Sequence, residues 1–470
     1  MNYPVWDVPI IGSGWVIGGI AIFHVLVSHF AIGGGFYLPM AERKALREGR
    51  DDWLEVIRGH AKFFLVLTLV FGAVTGVAIW FSIGLASPEG TSTLIHNFVF
   101  GWAIEWVFFI VEITAATVYY YTWGKIDSNL HMKIGWIYAI SAWLSLVIIN
   151  GILTFMLTPG SAWLGVAGTG TEASKFWQAF FNPTYFPSVV LRTLICIALA
   201  GVWALVTASR IDGFKQPELK KSIIRWSSLW LLPAFVALPF CFGWYLYMVP
   251  ESRLALLQIG ISNIGAGTFT QVTRTALVTV MTSATIAAVV YFMAWRNPRH
   301  FGFGHACAVL LLALAATAST EYGRELLRKP YVIADHMYSN GVRKSEVEGF
   351  NRDGYLTKAI WLDDAGRAAL QEPNPTLEQR LAVGELVFRG QCMACHTTDG
   401  YRPIRGFLAG RDRESIGNIL KMLHDASEDS PYVKYMPPLV GTAMEIESLN
   451  DFLYELVKPE ETGKVAAAVE

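Results

Sequence analysis

Runs of about 20 apolar residues recur along the first two thirds of the chain, each long enough to cross a bilayer core of roughly 30 Å as a helix. Eight such spans are expected, at about 13–40, 61–87, 97–123, 132–158, 186–208, 226–249, 275–295 and 302–320. After residue 321 the composition turns polar. The stretch 322–375 has no clear repeat or long apolar run, and QEPNPTLEQ reads as a linker into a small domain. That domain opens with a helix running into GELVFRGQCMACHTT and closes with a second helical stretch, AMEIESLNDFLYELV. The expected fold is all-α, a polytopic transmembrane helical bundle of about eight helices followed by a small helical domain. The expected boundaries are 1–325 for the membrane part, 326–375 for the linker segment and 376–470 for the small domain.

Composition strengthens the membrane reading. The chain is 53% hydrophobic and only 16% charged, against about 25% charged residues in soluble domains. A net charge of −1 with no basic stripe argues against a nucleic-acid partner. Charge placement sets the orientation. The connection 41–60 carries Arg43, Lys44, Arg47, Arg50 and Arg58, and the turn after the third span carries Lys125 and Lys133. Arg210, Lys215, Lys220, Lys221 and Arg225 follow the fifth span, and Arg296 and Arg299 the seventh. The alternate connections hold only Lys175 and Arg253. The basic loops are therefore expected in the cytoplasm, with both termini and the small domain on the periplasmic side of a bacterial inner membrane. MNYPVWDVPI lacks the basic n-region and A-x-A site of a cleavable signal peptide, so the first span would itself direct insertion.

Cys392-x-x-Cys395-His396 has the spacing at which haem is attached covalently. Two thiols two residues apart can each bond a vinyl group, and the adjacent imidazole can then reach iron. KYMPPLVGT offers Met436 as the second axial ligand, on a loop stiffened by two prolines. The pattern resembles small class I cytochromes c. A zinc knuckle is the bland alternative, but it lacks a second cysteine pair. Cys196, Cys241 and Cys307 lie in or at the spans and read as packing.

Ionisable residues inside spans are costly, and each is a functional-site hypothesis. His24 and His29 lie in the first span, Glu105 and Glu112 in the third, Arg192 and Arg274 near ends of the fifth and seventh, and Glu321 closes the eighth. Seven residues are almost two turns, so Glu105 and Glu112 share one face about 10 Å apart. Bland readings stand beside these: a hydrogen-bonded core histidine, a solvated glutamate, a snorkelling arginine.

Four stretches, in order, resemble cytochrome bd oxidase subunit I. They are IFHVLVSHFAIGGGFYLPMAERKAL, FGAVTGVAIWF, FGWAIEWVFFIVEIT and TASTEYGRELLRKPYVI. The likeness covers roughly residues 10–335. It implies that His24 is an axial ligand at the oxygen-reducing haem, with Glu105 opposite and Glu112 on the proton route, although the family spacing is one residue longer. It further implies Glu321 as ligand of a neighbouring high-spin haem b and Arg324 as a propionate partner. Departures are equally specific. The family's low-spin haem b needs a fifth-helix His and a seventh-helix Met, where this chain has Arg192 and, near the Met position, Ala276. The quinol-binding loop is reduced to PESRLALLQIGISNIGAGTFTQ, and the small domain stands in place of the ninth helix.

The expected cofactors are one covalent haem c, and haem b with haem d as an option in the membrane part. The expected function is a bd-type-like oxygen reductase subunit that receives electrons through haem c and reduces oxygen to water. The expected partners are a second membrane subunit related to the bd subunits, a cytochrome c or other extracytoplasmic donor, oxygen and lipid. The alternatives are a non-catalytic electron-transfer subunit of a larger respiratory complex, with His29 or another residue filling the open iron position, and a quinone-reactive subunit using His336 and Met337.

Overall fold

The structure, a computed structural model, describes residues 6–264, 270–427, 430 and 432–458. The part of the expected small domain at 459–470 and residues 265–269 of the reduced loop lie outside the described residues. Contacts divide the chain into two units. One contains 18–80 and 94–328; the other contains 1–17, 81–93 and 329–470.

Among the described residues, eight helices are long and apolar enough to cross a membrane. They are α1 (Ser13–Glu48), α2 (Asp51–Ala86), α3 (Pro88–Tyr121), α4 (Ser128–Phe155), α5 (Tyr185–Ser209), α6 (Pro217–Met248), α7 (Gln271–Arg296) and α8 (Phe303–Arg328). Each corresponds to one expected span. The first two run well past the apolar runs, because AERKALRE and DDWLEVIR are good helix formers with no breaker. The basic connection 41–60 is therefore mostly helix, turned at Gly49 with φ +62°. Asp127 caps α4 through the Asn129 amide, and Thr270 caps α7 through that of Thr273. A π-helical segment interrupts α2 at Leu67–Gly72, and another ends α7 at Val290–Arg296.

The membrane unit is packed around α1, α2, α4, α5 and α6, where Phe30, Phe64, Tyr138, Ala200, Leu205 and Leu231 are buried. Gly33 sets the approach of α1 to α5: a Cβ there would lie 1.9 Å from the Cys196 carbonyl oxygen. The outer faces remain apolar and exposed, including Val77, Phe100, Trp106, Phe240, Val280 and Phe292.

In the other unit, Tyr331–Ile333 and Met337–Tyr338 form a short antiparallel pair, which no alternation in the sequence announces. Helices α9 (Leu377–Gln391), α10 (Arg413–Asp425) and α11 (Ala443–Val457) follow. Val342, Phe350, Tyr355, Leu356 and Leu362, from the segment before α9, share one core with Val383, Phe388, Leu449 and Leu453. Glu445, 1% exposed, ties the two stretches: its carboxylate accepts from the amides of Tyr355 (2.9 Å), Leu356 (2.7 Å) and Thr442 (2.8 Å). Gly384 lets α9 meet α11, since a Cβ would sit 2.1 Å from the Ser448 carbonyl oxygen. Upstream of α1, Ile10 accepts a hydrogen bond from the Tyr401 amide at 2.8 Å, and Trp15 stands edge-on to the Tyr401 ring.

Candidate haem sites and buried charge clusters

Helix α9 ends where the cysteine motif begins. The amides of Cys395 and His396 both bond the Cys392 carbonyl, at 3.1 and 3.0 Å, winding the motif into one turn. Both thiols are free. Burial pushes the Cys392 thiol up to about 12, with Cys395 adding to the shift, so it stays protonated. His396 Nδ1 lies 3.1 Å from the Arg402 carbonyl oxygen. A carbonyl only accepts, so Nδ1 carries the proton and Nε2 keeps its lone pair. Burial also lowers the pKa of His396, which favours the neutral imidazole that iron requires, although the hydrogen bond to Arg402 acts the other way. Met436 is partly buried on the loop before α11, its amide bonded to Tyr432. Two free thiols, an imidazole with one nitrogen committed, and a thioether fit a covalent haem with His–Met ligation.

His24 sits midway along α1. Its Nδ1 is 2.9 Å from Thr75 Oγ1 on α2, and that hydroxyl donates its single proton to a backbone carbonyl one turn back, Phe71. Nδ1 must then be the donor to Thr75, and Nε2 again keeps its lone pair. This is the tautomer an axial ligand needs, fixed by a supporting hydroxyl. Glu105, half-buried on α3, accepts a 2.8 Å hydrogen bond from Ser145 of α4. Glu112 lies two turns further along the same face and is 6% exposed. An imidazole with one nitrogen committed to Thr75 and the other uncommitted fits a haem held by one firm protein ligand.

The other charged residues form a cluster. His29 Nδ1 donates to the Val25 carbonyl at 2.8 Å, and its Nε2 faces Arg192 Nη1 at 3.3 Å. Arg192 pairs with Glu321 Oε1 at 3.6 Å, and Arg324 with Glu321 Oε2 at 2.9 Å. His29 is thus already engaged on both nitrogens. Each oxygen of Glu321 faces a guanidinium, so its charge is compensated within the cluster. Arg274 is exposed on the first turn of α7, with its amide bonded to Thr270, and stands apart from this cluster. Ala276, one turn in, is exposed and carries no ligating atom. His336 and Met337 are buried; Met337 opens the second strand of the short pair, and His336 stands just before it.

Three buried groups escaped the sequence reading. Glu42 (α1), Tyr119 (α3) and His131 (α4) are 4%, 1% and 3% exposed. Tyr119 donates to Glu42 Oε2 at 2.6 Å, and His131 Nδ1 is 2.7 Å from Glu42 Oε1. Glu42 is embedded in a basic stretch, MAERKALR, and its partners are 77 and 89 residues away, so no local pattern marks it. His60 of α2 is also buried. Its Nδ1 bonds Thr207 at 2.8 Å, and it lines a small cavity with Tyr37, Trp53 and Ile223.

Comparison with known proteins bears on the membrane part. Residues 13–245 match the family model described as Cytochrome bd terminal oxidase subunit I. The chain is 24% identical over 180 residues to the cytochrome bd-II ubiquinol oxidase subunit 1 of Escherichia coli (strain K12). That match spans 38% of this chain and 35% of the relative's length. Among solved structures, the bd oxidase of Geobacillus thermodenitrificans superposes with a TM-score of 0.57 at 16% identity, covering 68% of this chain and 87% of that one. The transmembrane part of the chain therefore has the fold of a bd oxidase and, over residues 13–245, is similar in sequence to the cytochrome bd terminal oxidase subunit I family.

Proposed function

We propose that this chain is a subunit of a membrane-bound respiratory oxygen reductase. It takes electrons through a covalent haem c on Cys392 and Cys395, with His396 and Met436 as axial ligands. Oxygen is reduced to water at an inner haem held by His24, with haem c on the periplasmic side. A cytochrome c or a similar extracytoplasmic carrier is the donor, and a second, related membrane subunit completes the assembly. Haem b or d supplies the redox-active iron of the inner site. The protein's own contribution is to fix one ligand, leave the opposite position labile and bring protons.

The observation that carries this reading is the hydrogen bond between His24 and Thr75, which leaves Nε2 bare in a span that matches the bd family. Glu105 supports it, because its carboxylate would be a weak ligand to a haem iron and could hold a proton beside it. Glu112, stacked below it, can hand protons upward. Arg192 and Ala276, standing at or near the positions where the family's low-spin haem is ligated, supply no ligand for one, which agrees with an input other than quinol. The engagement of His29 by Arg192 speaks against the electron-wire alternative, since His29 would have to turn away from two partners to close the iron.

The test is a haem extraction together with the reduced-plus-CO spectrum of wild type and of His24→Ala. Covalent haem c plus a CO-binding inner haem that disappears in His24→Ala is expected. Fully reduced wild type that carries its inner haems and ignores both CO and oxygen would overturn the proposal.

A further inference from the structure

The Glu42–His131–Tyr119 cluster has a hydrogen-bond inventory that admits few protonation states. His131 Nε2 lies 2.7 Å from the Tyr119 carbonyl oxygen, which can only accept, so this nitrogen carries a proton. Nδ1 lies 2.7 Å from Glu42 Oε1, and a single proton must occupy that bond, on nitrogen or on oxygen. Either way the pair is neutral overall and holds one transferable proton away from water. The Tyr119 hydroxyl donates to the other carboxylate oxygen, and its ring stacks on His131 with centroids 4.2 Å apart. Such a cluster is costly to bury, and apolar residues of the same volume would pack as well.

Its placement is periodic. Glu105, Glu112 and Tyr119 recur every seven residues on α3, and His131, Tyr138 and Ser145 recur every seven on α4. Both rows follow one helix face, in steps of about 10 Å. The helices run antiparallel, so the rows form rungs. Ser145 donates to Glu105 at one end, and Tyr119 stacks on His131 at the other. Between them lies the middle pair, Glu112 and Tyr138, both buried; the Tyr138 hydroxyl donates to the Ala31 carbonyl and keeps a lone pair for a further donor. At the lower end, Leu130, Lys133 and Tyr121 are exposed within a turn of the buried cluster.

We propose that Glu42, His131 and Tyr119 form the cytoplasmic mouth of a proton relay that runs along the Glu112 and Tyr138 rung to Glu105. The inference rests on the oxygen-reduction reading for its purpose, though not for its geometry. A proton leaves the Glu42–His131 pair toward Glu112 through bridging water. The pair is then Glu42 carboxylate and neutral His131, and a proton from cytoplasmic water restores it. One proton enters for each that leaves.

The test uses full-length holoprotein reconstituted in vesicles. Proton uptake from the medium is followed with a pH-indicator dye during anaerobic reduction by ascorbate and a mediator. Glu42→Gln should slow uptake by at least about tenfold, with haem c reduced at the wild-type rate and the melting temperature within about 2 °C of wild type. Glu42→Asp should recover part of the rate. Tyr119→Phe removes one hydroxyl and should also slow uptake, giving a second variant if Glu42→Gln does not fold. Unchanged uptake in a folded variant, or uptake lost only in proportion to folded protein, would overturn the relay and assign the cluster to helix packing. A wild-type protein that consumes no oxygen yet keeps Glu42-dependent uptake would refute the oxygen-reduction reading and leave the relay standing.

Discussion

The Met436 amide bonds the Tyr432 carbonyl, and its proposed role rests on the thioether. Replacing it with His should keep the covalent haem and lower the reduction potential, because a His–Met pair raises it. A potentiometric titration checks this. An unchanged potential would point to His424, whose Nδ1 is held by the Leu439 carbonyl at 3.0 Å. At Glu105 the expected effect is on turnover. Glu105→Gln should cut oxygen consumption by about 100-fold while haem c is still reduced, as seen by stopped-flow absorbance. Asp451 makes a different prediction. Burial alone would raise its pKa, but hydrogen bonds from Arg380 (2.6 Å) and Arg413 (2.7 Å) outweigh this and lower it. A carboxyl with a depressed folded pKa stabilises above its unfolded value of about 3.9 and loses that as pH falls through the folded one. Asp451→Asn should therefore destabilise the unit that contains α9, α10 and α11 by about 1.5–3 kcal/mol at pH 7. The difference should shrink below about pH 4, as measured by thermal melts across pH.

Helices were the easiest features to read from the sequence, because an apolar run of membrane length has few other fates. Their ends were harder. Ser13–Glu48 continues past the apolar stretch because nothing before Gly49 breaks it. The cysteine motif was legible because all its parts are contiguous. His24 could be singled out as an ionisable group in a span, but its tautomer depends on Thr75, 51 residues away. Glu42 and His131 were invisible for the same reason, since pairing between helices leaves no period in the sequence. Crossing points are also set at long range. Gly384→Val should force α9 and α11 apart at Ser448, costing about 1–3 kcal/mol or more, and thermal melting would register it.

Across the whole molecule, a large share of the membrane unit's surface is apolar and exposed, on α2, α3, α6 and α7 in particular. Lipid can cover such a surface, as can a second subunit. The purified protein in mild detergent should be at least a heterodimer by light scattering. A fully active monomer would assign those faces to lipid alone.

The hydrogen bond from Tyr401 to Ile10 bears on how such a protein is made. The loop after His396, the proposed haem ligand, is completed by backbone from upstream of α1, and Gly400 is pressed so closely on Ile10 that a Cβ would lie 1.9 Å from its carbonyl oxygen. Ile10 is therefore made before the eight spans and the loop it completes only after them. A soluble fragment beginning at Lys329 would lack this seam and the 81–93 stretch assigned to the same unit. Severed from the membrane part, this fragment should mature poorly, and adding back a peptide of residues 1–17 should improve its yield of the proposed covalent haem.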